Sequence, residues 1–181
     1  MTWKKGGLLA LALLTLVAAH LHLYYRVTVD GQRLDGFYTQ EAIRRSKQIA
    51  AETAEELLAG AAPALSCRRS LRLSLRPADG DSLTLTDALI RACPGVELAD
   101  GVFINGVKLG TVESGAELYA RLRASIVGQM PNAAVFGNIS GELQIRPVYS
   151  RVGHETNYED MILLISGMAP VIYVDGSGRL V

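Results

Sequence analysis

Three β-prone runs, each broken by an Asp-Gly or Asn-Gly pair, recur along this chain about 70–75 residues apart. They are Val27-Thr28-Val29-Asp30-Gly31-Gln32-Arg33-Leu34, Val102-Phe103-Ile104-Asn105-Gly106-Val107-Lys108-Leu109, and Ile172-Tyr173-Val174-Asp175-Gly176. A two-residue type I′ hairpin needs positive φ at both central positions, which Asn or Asp followed by Gly tolerates. Asp30-Gly31, Asn105-Gly106 and Asp175-Gly176 are therefore read as hairpin turns. Their regular spacing reads as duplication.

The segments after the first two turns are also alike. Thr39 opens a helical stretch to about Leu58, with Ile43, Ala50, Ala54 and Leu57 on one face. Ser114-Gly115-Ala116-Glu117 is a capping box ahead of Leu118, Leu122 and Ile126. Each helix leads to an alternating strand. In the first, Leu71, Leu73 and Leu75 alternate with Ser70, Arg72 and Ser74; in the second, Leu143 and Ile145 alternate with Gln144 and Arg146. Shorter helices capped at Thr84 and Thr156 close each unit. The unit is thus hairpin, helix, strand, short helix, over residues 26–100 and again over 101–181, where a terminal hairpin strand is placed against the strand near 102–109. Strands that alternate cleanly have one wet face, which gives an α+β class with helices on one side.

Before the first hairpin, residues 7–25 read as one membrane-inserting helix. The run GLLALALLTLVAAHLHLYY holds no charge, and about twenty residues span a bilayer core. Lys4 and Lys5 precede it, so the positive-inside rule sets the N-terminus inside and the rest outside the cytoplasm. A cleaved signal peptide is the rival reading, with Val17-Ala18-Ala19 as a cleavage region; the remainder would then be secreted.

Acidic and basic residues balance at 18 each, so no net field draws the chain to nucleic acid. Cys67 and Cys93 permit a disulfide closing a loop of about 27 residues, worth roughly 3 kcal/mol in the chain-entropy model. Two small buried hydrophobes are the equal alternative.

Catalytic chemistry finds little to stand on. A zinc site needs about three converging ligands. His20-Leu21-His22 has the spacing of half a metal motif but lies in the apolar run, and His154 stands alone. There is no H-E-x-x-H and no G-x-S-x-G. Asp175-Gly176-Ser177-Gly178 precedes no helix that would hold a phosphate. Arg68-Arg69 reads as a strand entrance, and Asn138-Ile139-Ser140 is a formal glycosylation sequon. No catalytic, cofactor-binding or metal residue is assigned.

Gly101 to Leu118, then Ala134-Val135-Phe136, Leu143-Gln144-Ile145 and a capped helix ending before Pro170, resembles a membrane-proximal module of Gram-positive cell-wall enzymes. The family is that of lysostaphin-type (LytM-like) zinc endopeptidases with LysM domains, in which an anchor and a duplicated region precede the peptidase. The resemblance covers most of 26–175 and implies the stalk alone, because no LysM or metal-ligand segment follows Val171 to Val181. It implies a non-catalytic, membrane-anchored spacer or protein-interaction module of the cell envelope, with another envelope protein as partner. The alternatives are a peptidoglycan or wall-polymer binding module, its strand edges holding an extended ligand, and a truncated piece of such a peptidase.

Overall fold

Leu23-Tyr24-Tyr25-Arg26-Val27-Thr28-Val29 is rich in aromatic and β-branched residues, which suit a pleated, half-buried surface. It forms the central strand of a sheet, β1 (His22–Val29). The computed structural model describes residues 22–60, 65–74 and 76–181, and within them the chain is α+β, with four helices and eight strands.

That first strand corrects the expected membrane helix. The last four residues of the span, His22 to Tyr25, pair with Ser74, Leu73, Arg72 and Leu71 of a neighbouring strand, so their backbone groups are used in a sheet and not in helical bonds. Residues 7–21, His20 among them, lie outside the described residues. Among the described residues no helix is long and apolar enough to cross a membrane. The longest, α1 (Gln40–Leu57), has 18 residues and carries Arg44, Arg45, Lys47 and three glutamates in its second half. The single-pass anchor is corrected accordingly, together with the cell-membrane address, the N-in orientation and the exported remainder that rested on it.

The chain divides between Pro94 and Gly95 into two units, each with its own sheet. The boundary read from the repeat, 100/101, falls inside a strand.

In the first unit, β1 turns at Asp30 (φ 45°) and Gly31 (φ 76°) into β2 (Gln32–Arg33). These are the two positive φ values a type I′ turn demands. α1 follows, capped by Thr39, whose side chain accepts the Ala42 N–H at 3.0 Å. Then come β3 (Arg68–Ser74) and α2 (Ser82–Arg91). The strands lie in the antiparallel order β2-β1-β3. Small side chains on α1, namely Ser46, Ala50 and Ala54, are buried, and the Ser46 hydroxyl donates to the Ser82 carbonyl at 3.2 Å, tying α1 to α2. Leu57 is only half-buried. The cap of α2 is Asp81 and not Thr84, so the helix starts a turn earlier than the capping-box pattern predicts.

The leucines of β3 overturn the expected burial. Leu71 and Leu73 are 55% and 63% exposed. They share a face with Leu23 (58% exposed), Tyr25, Val27 and Val29 of β1, and only Val27 and Val29, at the hairpin end, are sealed. On this face burial fades from Val29 toward Leu23, and the leucines of β3 lie at its open end.

The second unit repeats the order with additions. β4 (Val96–Ile104) turns at Asn105 (φ 50°) and Gly106 (φ 81°) into β5 (Val107–Val112). α3 (Gly115–Gly128) is capped by Ser114 and then followed by β6 (Phe136–Ile139), β7 (Leu143–Arg151), α4 (Tyr158–Met168) and β8 (Val171–Val174). The main sheet is β5-β4-β7, matching β2-β1-β3 strand for strand. Val102, Ile104, Val112, Leu118, Leu122, Ile126, Met161 and Ile165 form its core. The Asp100 carboxylate accepts the Gly115 N–H at 2.7 Å, so a strand residue supplies a negative charge to the start of α3. α4 is capped by Asn157, one residue after the expected Thr156.

The closing strand departs from expectation. β8 pairs with β6, Phe136 opposite Val174 and Ile139 opposite Val171, and not with the strand near 102–109. Its turn also differs, because Gly176 has no positive φ while Gly178 does (80°). The Gly178 N–H donates to the Asp175 carbonyl and the Asp175 N–H to that of Arg179, a wider loop than the Asp-Gly pair predicts.

A helix cap and a turn carboxylate give a pH prediction. Asp81 accepts the Thr84 hydroxyl at 2.7 Å and the N–H groups of Leu83 and Thr84, and these hold its pKa below the ordinary Asp value, the Thr84 hydroxyl most strongly. Asp175 is lowered in the same way, first by the Ser177 hydroxyl. A depressed carboxylate pKa contributes stability that is complete above the ordinary Asp range and lost as pH falls through the lowered value. Urea midpoints followed by circular dichroism are expected to drop below about pH 4, with a shallower drop in Asp81→Ala. A midpoint that rises toward pH 3 would contradict this.

Candidate binding groove

The site grows out of the helix α3. Leu118, Leu122 and Ile126, spaced four apart, face the core, and that leaves Tyr119, Arg123 and Val127 on the flank. After the helix the chain returns through Val135 into β6, which β8 holds in place. The Tyr173 hydroxyl of β8 donates to the Ile126 carbonyl at 3.2 Å, fastening the ribbon to the end of α3. At Gly137 a Cβ would stand 2.7 Å from the Tyr173 ring, so this close approach needs glycine.

Between α3 and β6 lies a cavity of about 580 Å³. Leu122, Ile126, Val127, Met130, Val135 and Phe136 give it an apolar lining, and Arg123 is its one cationic side chain. Val135 and Phe136 are 66% and 57% exposed, and Tyr119 and Val127 are similarly open. Large apolar side chains gathered around a concavity, and not scattered singly, are what a binding surface looks like. The second arginine of the helix is occupied: Arg121 is bonded to Glu117 at 2.6 Å and lies over the Tyr158 ring. Arg123 has no ion-pair partner among the described residues.

The titratable groups with displaced pKa values lie elsewhere. Glu97 is pushed up chiefly by the hydrogen bond its carboxyl donates to Glu155, which is lowered by accepting it, and the pair sits at the Gly153 turn, outside the groove. Asp81 and Asp175 are helix-cap and turn groups. Among the described residues, no three His, Cys, Asp or Glu side chains converge as a metal site would require.

The residues singled out in the sequence separate into different roles. Asp30, Gly31, Asn105 and Gly106 make the two type I′ turns, and the Asn105 side chain further accepts the Glu142 N–H at 2.9 Å, pinning the entry to β7. Asp175 organises its own loop by accepting from Ser177 and Arg179, with Gly176 inside it. None of the six reaches the groove. Cys67 and Cys93 are both free thiols. Cys93 is buried behind the end of α2, its Sγ 3.7 Å from the Pro94 carbonyl, and burial pushes its pKa up, so it behaves as the small hydrophobe of the alternative reading. His22 is exposed on β1, its ring 5.8 Å from that of Tyr24, and His154 is exposed in a turn. Asn138 of the sequon lines the groove and turns its Oδ1 to the Ile139 N–H.

The sequence pattern does not reveal the groove. Its one local signal is Ala134-Val135-Phe136, an apolar run directly after a helix that already has a complete core face.

No family model, curated protein or solved structure matches the chain. The resemblance to the peptidase-associated module therefore has no support from relatives.

Proposed function

We propose that this chain is a non-catalytic interaction module, and that its second unit takes an apolar, acid-bearing segment of a partner protein in the groove between α3 and β6. The observation that carries this reading is the lining: exposed Val127, Val135 and Phe136 around a concavity of about 580 Å³ whose only cation is Arg123. A volume of this order suits a small set of anchoring side chains. A catalytic site of the same size would be expected to hold displaced acids or bases.

Anilinonaphthalene sulfonate, an apolar dye with one negative charge, has the same chemistry and serves as the probe. Its fluorescence is expected to titrate to one saturable site on the folded chain. Phe136→Ser combined with Val127→Ser should weaken binding at least fivefold, and Arg123→Ala at least twofold. Unchanged titration of both variants would show that the groove is not the site.

A second reading has one observation in its favour. Tyr119 and Phe136 present exposed rings on the groove lining, as a wall-polymer site would. Sedimentation with purified peptidoglycan separates the two readings. Retention above a control protein that disappears in Tyr119→Ala supports polymer binding, and no retention leaves the protein-partner reading.

A further inference from the structure

The first unit carries a different surface, at the outer edge of β3. Val29 and Gln32 flank the tight turn as a hydrogen-bonded pair, Leu34 donates to the Val27 carbonyl, and Tyr25 exchanges both backbone bonds with Tyr38 at 2.8 Å. The odd residues of β1 thus spend their backbone groups on the β2 side, and the even ones face β3. Their partners Arg68, Ser70, Arg72 and Ser74 are used in that ladder. The backbone groups of Arg69, Leu71 and Leu73 consequently point to the open edge, where no strand pairs among the described residues. Such an edge is a template for an added strand.

Its two faces differ in chemistry. On one, Arg68 and Arg72 of β3 join Arg26 of β1 and Arg33 of β2, since Thr28 stands opposite both Arg33 and Arg68. No ion pair among the described residues neutralises any of the four. Their field is felt locally: after burial, Arg33 and Arg72 are what lowers the Arg26 pKa. On the other face Leu71 and Leu73 lie open beside Leu23, with Arg69 at the start of the strand held over the Tyr25 ring.

We propose that the outer edge of β3 receives an extended peptide segment in which acidic and apolar residues alternate, adding a fourth strand to β2-β1-β3. In such a strand the carboxylates fall on the arginine face and the apolar side chains beside Leu71 and Leu73, the two cross-strand pairings that are favourable. A second copy fits poorly. Pairing β3 with β3 sets arginines of both copies on one face or arginine against leucine. A polyphosphate would meet the arginines but leave the leucines in water.

The test uses the full chain and a fluorescent, capped nine-residue peptide alternating valine and glutamate, followed by anisotropy. Binding with a dissociation constant below about 1 mM is expected, at least tenfold tighter than to a peptide of the same composition with its valines and glutamates in separate blocks. Arg68→Glu with Arg72→Glu should weaken it at least tenfold, and Arg68→Gln with Arg72→Gln at least threefold. Leu71→Pro removes an outward N–H while sparing the ladder to β1, and should abolish binding where Leu71→Ala only weakens it. Far-UV circular dichroism checks that each variant folds, and the glutamine pair decides the matter if the glutamate pair does not fold. Equal binding of the blocked peptide or of polyphosphate, or no binding of the alternating one, overturns the proposal. The groove stands or falls separately, on the dye titration of the second unit.

Discussion

Leu118→Ala is expected to destabilise the second unit by about 3 kcal/mol. Leu118 is fully buried at the first turn of α3, within the cluster formed by Val102, Ile104, Val112, Met161 and Ile165. Deleting most of its side chain removes apolar area from the core and leaves a cavity. Interiors packed at crystal-like density relax only partly around such a void. Tyr119→Ala, the adjacent residue on the exposed flank, should cost less than about 1 kcal/mol. Urea denaturation of the two variants provides the comparison. Similar losses would mean that α3 does not bury the face assigned to it.

Gly80→Ala is the second large effect, in the first unit, at about 2–3 kcal/mol. A Cβ at this position would stand 2.7 Å from two carbons of the Tyr38 ring. Tyr38 is 1% exposed and bridged to Tyr25 through its backbone, so the ring has no room to retreat. The Gly80 N–H also donates to the Phe37 carbonyl at 2.9 Å, which keeps the two segments in contact. Trimming the ring should therefore relieve the clash, and Gly80→Ala is expected to cost less in a Tyr38→Leu background than alone. Tyr38→Phe makes the useful contrast. It removes a buried hydroxyl that has no hydrogen-bond partner among the described residues, and so should cost nothing. Additive losses in the double variant would place the strain elsewhere.

The features legible in the sequence are those decided by local chemistry. Asp30-Gly31 and Asn105-Gly106 name their turn because few other pairs accept two positive φ values. Thr39 and Ser114 name their helix starts because the side chain that caps is the one that precedes the apolar spacing. Where two local solutions compete, the sequence pattern misleads. Asp175-Gly176 is followed by Ser177-Gly178, and the chain uses the second glycine for its positive φ. Asp81 lies three residues ahead of Thr84 and caps in its place.

Features decided by distant residues are not legible. Alternation in Leu71-Arg72-Leu73 gives a strand but does not say whether anything covers it. The apolar run before Arg26 extends a membrane-like pattern through Tyr25, while Leu23 to Val29 is equally a β-prone stretch. Pairing with β3, some 45 residues onward, decides for the sheet. β6 and the groove depend on β8, and the Asp175-Gly176 turn signal pairs that strand with the wrong neighbour.

Chemical-shift mapping of the labelled chain with anilinonaphthalene sulfonate tests the binding-module reading most directly. Shifts concentrated on residues 119–143, with Phe136 and Arg123 among the largest, are what the groove predicts. Shifts spread over both units, or centred away from α3 and β6, would contradict it.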